Sequence, residues 1–330
     1  MTAFHSLIET LGTDDVNPGE GLRRAARLAG GLVVGAGTLL VGASAFIGHA
    51  ITRPRRLRVI AAREVDETVE VVTFLTDDGL TLHGWYLCPA RPAAPRDAII
   101  ICHGFAMNRN ELLDLARSLR DRGHAVLLFD FRAHGDSEGE RSTIGLREAD
   151  DIGAAIGFLK GRDELAGLPI GVAGISMGGA AALLAAARHG DIAAVAADSS
   201  FATLHDIAAN GLKLIYGIPR TPLTSLVVRF GELFSRSRIR YNRPIDAVAE
   251  IAPRPVLIVH AVEDRLIPVA DAEALYAAAG EPKELWLVPG IDHACAFLHD
   301  PEEYTRRLDV FFRKWLWAAA PASAEPAAAK

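Results

Sequence analysis

The sequence predicts an α/β fold, in which a mostly parallel sheet is covered by helices on both faces. From about residue 66, short apolar and β-branched runs alternate with longer helical stretches. After its first residue, the run 97–102 is continuously apolar, as in a parallel strand buried on both faces. An uncharged stretch at 29–48 stands apart from this alternation. We therefore predict one large α/β domain that a separate apolar helix precedes.

The composition is that of an ordinary globular chain. The 330 residues are 50% hydrophobic and 23% charged, which is enough for a large core. A net charge of −6 gives no sign of a nucleic-acid partner. Cys88, Cys102 and Cys295 are odd in number and far apart, so they indicate neither a disulfide framework nor a zinc site. No metal or cofactor is expected, and Cys295 is expected near the site without acting in it.

The uncharged stretch predicts a membrane-spanning helix at 29–51, after a polar tail at 1–28. Its twenty uncharged residues, at about 1.5 Å each, match a hydrocarbon layer of about 30 Å. The competing interpretations are a buried core helix and a signal peptide cleaved near Ala43-Ser44-Ala45. An uncleaved single-pass anchor is favoured, because the residues before it are many and partly acidic and because arginines follow it directly.

The same stretch bears on orientation, pairing and the independence of the domain. Its orientation stays open, because arginines flank both ends in similar number. Small residues four apart, Gly31 with Gly35 and Ser44 with Gly48, would allow a weak homodimer through helix packing. Because every catalytic candidate lies downstream, a chain that begins near Arg58 is expected to be soluble and fully active.

Eight strands and five helices are predicted beyond residue 66, and a turn at 76–79 joins the first two strands as a hairpin. The predicted strands are 69–75, 80–87, 97–102, 124–131, 169–173, 192–197, 255–259 and 284–288. The predicted helices are 110–122, 148–160, 180–188, 270–279 and 301–317. In such a sheet the functional side chains gather at the carboxyl ends of the strands.

One of these strand ends carries the pattern Gly-x-Ser-x-Gly, from Gly174 to Gly178 with Ser176 at its centre. Between a strand and a helix, this pattern is a nucleophile elbow, in which small neighbours let strand and helix approach closely. A glycine-rich turn with a capping serine is the plain alternative. The other strand ends therefore decide between the two.

Those ends carry His103 and Gly104, then Asp264, then His293, in addition to Ser176. The order nucleophile, acid, histidine is typical of one fold that carries a Ser-His-Asp triad. We expect Ser176 as nucleophile, His293 as general base and Asp264 as the carboxylate that orients the imidazole.

Two other carboxylates compete with Asp264. Asp198 at the end of the sixth strand is the stronger competitor, whereas Asp292 is weak because adjacent side chains in an extended loop diverge. The backbone amides of Phe105 and Met177 are the expected oxyanion donors. His103 and Gly104 are expected to shape the supporting loop.

These motifs resemble the α/β-hydrolase superfamily over about residues 66–317. Three features together resemble the BEM46-like serine hydrolases. They are the elbow, Asp264 followed by Ile267-Pro268, and the motif 130–137 (Asp-Phe-Arg-Ala-His-Gly-Asp-Ser). Ala261 departs from the glycine usual there. The resemblance implies an N-terminal membrane tether in many members and a helical cap, here expected at 201–242. The tail at 318–330 is Ala/Pro-rich and is expected to be disordered.

The predicted function is a membrane-anchored serine hydrolase that cleaves carboxylic esters or thioesters through an acyl-serine. The apolar cap segment favours a small-molecule or lipid acyl ester as substrate. A basic run, Arg236 to Arg243, is interpreted as a solvated face rather than a headgroup site. The alternatives are a serine peptidase or amidase, and a catalytically idle membrane-anchored interaction protein on the same fold.

Overall fold

The computed structural model describes residues 18–60, 68–89, 94–219 and 222–319. Most of the predicted N-terminal tail, at 1–17, and most of the predicted C-terminal tail, at 320–330, lie outside these ranges. The last helix continues to Ala319, two residues beyond its predicted end.

The described residues form an eight-stranded sheet with the strand order β1-β2-β4-β3-β5-β6-β7-β8. The strands are β1 (Glu70–Leu75), β2 (Thr81–Leu87), β3 (Ala98–Cys102), β4 (Ala125–Phe129), β5 (Ile170–Ile175), β6 (Ile192–Asp198), β7 (Val256–Ala261) and β8 (Lys283–Val288). β2 pairs antiparallel with both β1 and β4, and the remaining pairs are parallel. The predicted fold class, with its mostly parallel eight-stranded sheet, is confirmed.

Ten α-helices surround the sheet or precede it in the described ranges. They are α1 (Pro18–Thr52), α2 (Leu113–Asp121), α3 (Glu148–Lys160), α4 (Met177–Arg188), α5 (Leu204–Tyr216), α6 (Pro222–Ser235), α7 (Pro244–Ala247), α8 (Val269–Ala278), α9 (Ala296–His299) and α10 (Pro301–Ala319). Two of them, α5 and α6, form the helical cap between β6 and β7.

The core has one layer on each face of the sheet. Helices α3, α4 and α8 pack on one face, where Ile100, Val172 and Leu183 are fully buried. Helices α2 and α10 pack on the other face, around Ile99, Leu119 and Phe312. The central strands are therefore apolar at successive positions, because both faces of the sheet are covered.

Helix α1 has an exposed part and a docked part. From Ala26 to Thr52 it is long and apolar enough to cross a membrane by length and composition. Leu32, Val33 and Leu39 in its first part are exposed. Ser44 and Thr52 near its end are fully buried, so the last turns of α1 belong to the folded domain.

The docked part of α1 packs against the cap helix α6 at glycines. A Cβ atom added to Gly48 would lie 2.7 Å from Phe230 Cβ and 2.8 Å from the Val227 carbonyl oxygen. Small residues let two helix backbones approach this closely. Gly48, one of the small residues that predict pairing of two copies, here serves a contact within one chain, whereas a Cβ atom added to Gly31 or Gly35 would meet nothing within 4 Å.

The residues after α1 are tied to the domain by hydrogen bonds. The Arg56 guanidinium donates to the carbonyl oxygens of Gly135 at 2.9 Å and Gly139 at 2.6 Å. The Ser142 amide donates to the Thr52 carbonyl oxygen at 2.9 Å. The end of α1 is therefore one of the packing elements of the α/β domain, and the solubility and activity of a chain that begins near Arg58 stay predictions.

We expect Gly48→Leu to separate α1 from α6 and to lower the free energy of unfolding by about 1–3 kcal/mol, the usual cost of overpacking. Gly35→Leu on the exposed part of the same helix is the matched control and is expected to change nothing. Thermal unfolding of the full-length protein in detergent measures both. Equal midpoints for the two variants would contradict the docked position of α1.

Candidate active site

Ser176 lies on a strained turn between β5 and α4. Its φ of 55° and ψ of −116° place it in a left-handed region that non-glycine residues rarely adopt. A Cβ atom on Gly174 would overlap the Gly178 carbonyl, and one on Gly178 would overlap the carbonyl oxygen of Cys102 in β3. The elbow therefore requires glycine at both positions, and the capping-serine alternative does not account for this geometry.

The structure brings Ser176, His293 and Asp264 into one hydrogen-bonded chain. His293 Nε2 lies 2.9 Å from Ser176 Oγ. Its Nδ1 lies 2.6 Å from Asp264 Oδ2. These residues follow three different strands, β5, β7 and β8, and meet because the carboxyl ends of parallel strands share one edge of the sheet.

Asp264 is held for this contact by its own loop. Its Oδ1 accepts the amide protons of Leu266 at 2.9 Å and Ile267 at 2.8 Å. The side chain of Asp264 is fully buried, so these bonds replace the water that a carboxylate would otherwise bind. Its other oxygen then points to His293, which fixes the Nδ1–H tautomer of the imidazole.

Asp198 lies elsewhere, in a fully buried network behind the elbow. Its Oδ1 accepts from Ser199 Oγ at 2.9 Å, and its Oδ2 accepts from the Tyr304 hydroxyl at 3.0 Å. Burial raises the pKa of Asp198 to about 6, although these two hydrogen bonds oppose the rise. The Ser199 hydroxyl also accepts the Ala294 amide proton at 3.2 Å, so Asp198 supports the loop next to His293.

Asp292, the weak competitor, is turned toward Arg265. Its Oδ1 accepts the Arg265 amide proton at 3.0 Å, and its other oxygen accepts from the Arg265 guanidinium. These bonds, with one from the His293 amide, lower the pKa of Asp292 to about 2. Among the three carboxylates considered, the described side chains therefore place Asp264 alone against the His293 ring.

His103 fixes the loop that carries Phe105. Its Nδ1–H donates to the Gly104 carbonyl oxygen at 2.7 Å, and its Nε2 accepts the Phe131 amide proton at 3.0 Å. Burial, together with the neighbouring His134, lowers the pKa of His103 to about 3, so the ring is neutral. A neutral imidazole with both nitrogens occupied is a structural element rather than a base. Phe105 and Met177 both line the cavity at Ser176.

That cavity has a volume of about 430 Å³ and receives residues from the elbow, the cap and α1. The cap contributes Leu204, Ile207, Leu212, Ile215 and Tyr216 among others. Helix α1 contributes Ile47, Ala50 and Ile51, which sequence reasoning missed. Their spacing, three and then one apart, is that of one helix face. Because the other faces of this helix are apolar as well, the sequence pattern does not mark the face that lines the cavity.

The other predicted residues fall outside this cavity. Arg243 pairs with Asp246, and Arg240 lies 3.3 Å from Glu232, so these members of the basic run have carboxylate partners. Cys295 Sγ lies 3.3 Å from the His293 carbonyl oxygen, near the site as expected. Within the ranges that the structure describes, no three His, Cys, Asp or Glu side chains are grouped as metal ligands would be.

Comparison with known proteins assigns the family. Residues 93–249 match the family model described as serine aminopeptidase, S33. The uncharacterized protein YqkD of Bacillus subtilis is 33% identical over 235 residues, which cover 71% of this chain and 75% of YqkD. The Pyrococcus furiosus esterase Pf2001 superposes with a TM-score of 0.66 at 26% identity, covering 80% of this chain and 100% of the esterase. The chain belongs to the α/β-hydrolase superfamily.

The α/β hydrolase has further relatives of the same kind. The uncharacterized protein YfhR of Escherichia coli K12 is 33% identical over 235 residues, which cover 70% of this chain and 75% of YfhR. Both aligned regions extend over more of the chain than the family match. The predicted superfamily is thus confirmed.

We expect Asp264→Asn to lower kcat for an ester by on the order of 1,000-fold or more, because the amide stabilises the wrong tautomer of His293. Asp198→Asn is the matched control, since the same change is made at a carboxylate that does not contact the ring. It is expected to cost less than about tenfold. Steady-state kinetics on a soluble ester measures both, and a larger loss in Asp198→Asn would reverse the assignment.

Asp198→Asn is also expected to alter the pH dependence of stability. Because the pKa of Asp198 is raised above its ordinary value of 3.8 to about 6, the native state binds the proton more tightly than the unfolded state. Asp198 therefore favours folding below about pH 4, and this contribution is lost as pH rises to about 6. Removing it should flatten the stability profile between these values, as measured by denaturant unfolding. An unchanged slope would contradict the raised pKa.

Proposed function

We propose that this α/β hydrolase cleaves carboxylic esters or thioesters of apolar acyl groups through an acyl-serine, and that α1 anchors it in a membrane. The observation that carries the proposal is the chain from Ser176 through His293 to Asp264, with Ser176 open to an apolar cavity. The membrane helix joined to these motifs also supports membership of the BEM46-like subgroup.

In the proposed reaction, His293 Nε2 accepts the Ser176 hydroxyl proton while Oγ attacks the acyl carbonyl carbon. The carbonyl oxygen becomes an oxyanion that accepts from the Phe105 and Met177 amides, the second of which starts helix α4. His293 then gives its proton to the departing alkoxide or thiolate, leaving an ester on Ser176. A water molecule, deprotonated by the same nitrogen, cleaves that ester and regenerates the hydroxyl.

The cavity favours an acyl ester over an amino-terminal peptide. A free α-amino group would need a carboxylate close to the elbow, since a buried cation requires a partner. None of the described residues that line the cavity is Asp or Glu. Apart from Ser176 and His293, the Tyr216 hydroxyl is the polar side-chain group of that lining. An apolar acyl chain satisfies these surroundings without an unpaired group.

The strained elbow also argues against an idle scaffold. Holding a serine in this conformation costs about 1–3 kcal/mol, and the three-residue chain buries a carboxylate as well. A protein that only binds partners does not need the strained serine or the buried carboxylate. Both arrangements instead serve a nucleophile that needs an adjacent base.

We expect Ser176→Ala to abolish hydrolysis of p-nitrophenyl esters and labelling by a fluorophosphonate probe, while the unfolding midpoint stays the same. The change removes one hydroxyl and no core packing. Ser118→Ala on α2 is the matched control and should keep both activities. Esters of rising acyl length, tested on the full-length protein, then define the preferred chain. Residual turnover within about tenfold of wild type in Ser176→Ala would exclude the acyl-serine route.

A further inference from the structure

The outer end of the cavity lies between the end of α5 and the docked part of α1. Ile215 and Tyr216 line the cavity, yet they are 68% and 52% exposed. Ala50 on α1 lines it too and is exposed. Residues that are both lining and exposed mark an opening. This opening is therefore bounded by apolar side chains of the cap on one side and by α1 on the other.

The position of α1 relative to this opening is fixed. Ile47 packs with Val227 and Leu212, and Gly48 lies against the backbone of α6. Arg56 then ties the residues after α1 to the domain. A helix held in this way is not a flexible tether. When its exposed part lies in a bilayer, the domain and its opening have a defined position at the lipid surface.

The direction of the helices places the opening on the membrane side. Ile47 packs with Val227, and a Cβ atom added to Gly231, four residues later in α6, would lie 3.5 Å from Thr52 Cγ2, so α1 and α6 run in the same sense. The start of α6 therefore lies beside the earlier, membrane-proximal turns of the docked segment. Because α5 ends at Tyr216 and α6 begins at Pro222, the end of α5 lies on that side as well.

Exposed apolar side chains on α5 and on α1 flank the opening and form its rim. Leu214, which precedes the lining residue Ile215 in α5 but is not itself in the cavity lining, is 50% exposed. Phe46 on α1 is 70% exposed, and Leu39, Leu40 and Val41 are exposed on the turns before it. Exposed apolar side chains on both sides of the opening, next to a helix long enough to span a bilayer, are suited to contact with lipid.

We propose that the cavity opens into the lipid phase and takes its substrate from the bilayer, as a single-chain acyl ester or thioester that enters between α1 and α5. This inference rests on the proposed function and adds the source of the substrate. A volume of about 430 Å³ lies toward the lower end of the range for small-molecule sites, about 300–1,000 Å³, which suits one chain rather than two. Helix α1 is then both the anchor and a wall of the entry path.

The test uses full-length protein in phosphatidylcholine vesicles, with 4-methylumbelliferyl palmitate as the bilayer-dissolved ester and p-nitrophenyl acetate as the soluble ester. The palmitate ester is placed either in the vesicles that carry the protein or in separate, protein-free vesicles. We expect hydrolysis at least about tenfold faster in the first arrangement, because a palmitoyl ester leaves a bilayer slowly. Equal rates in the two arrangements would show that the substrate arrives through water, and would overturn the proposal.

Leu214→Lys tests the rim itself, and Val310→Lys on α10, where Val310 is 51% exposed, is the matched control. A charge in lipid is costly, so Leu214→Lys should lower palmitate hydrolysis within the vesicle by about tenfold and leave the acetate rate unchanged. Val310→Lys should alter neither rate.

Equal palmitate rates in the two variants would overturn the position of the opening. Absence of fluorophosphonate labelling and of turnover on both esters in wild type would instead refute the proposed function, and this inference with it.

Discussion

The approach of α4 to the end of β3 leaves no room for a side chain at the contact. A Cβ atom on Gly178 would overlap the carbonyl oxygens of Cys102 and His103, and the elbow before it is bent through Ser176 at a positive φ. Because of this close approach, the first turn of α4 and the loop after β3 lie on the same side of Ser176. The proposed nucleophile and both proposed oxyanion donors thus depend on one backbone contact.

A second close approach, between Gly48 and α6, joins the apolar helix to the cap. With small residues at the contact, Ile47, Ala50 and Ile51 reach into the cavity instead of remaining on a free helix. One wall of the cavity is thereby formed by a helix that precedes the sheet in the chain. The same packing gives the exposed part of α1 a fixed direction relative to Ser176, which a flexible linker would not do.

The central strands were predictable because they are buried on both faces of the sheet and therefore form continuous apolar runs. The predicted ends of β5 and β7 were two residues short, since Gly174 and His260 interrupt the apolar pattern. Parallel topology brings the ends of β5, β7 and β8 to one edge of the sheet, so chain order could indicate that Ser176, Asp264 and His293 lie near one another. Their catalytic roles, and the oxyanion roles of Phe105 and Met177, stay predictions that the experiments above address.

The sequence could not predict contacts between segments that are far apart in the chain, because no local pattern marks such contacts. Hydropathy shows that 29–48 is apolar, but the face that meets α6 depends on residues about 180 positions later. The Asp198–Tyr304 hydrogen bond likewise joins the end of β6 to α10, and no motif marks a tyrosine at that position. A small-residue pair such as Ser44 and Gly48 indicates close helix packing but does not identify the partner, and pairing of two copies stays a prediction.

The hydrogen bonds of Arg56 show how far the influence of α1 extends. Its guanidinium binds carbonyl oxygens in the loop 134–139, whose His134 ring lies 5.0 Å from the His103 ring. His103 in turn accepts from the Phe131 amide and donates to the Gly104 carbonyl oxygen, immediately before Phe105. The hydrogen bonds at the two ends of this series involve backbone groups, and the contact between them is edge-to-face packing of two imidazole rings. Helix α1, the cap and the loop that carries Phe105 are therefore parts of one packed unit, so the positions of α1 and Ser176 are fixed relative to each other.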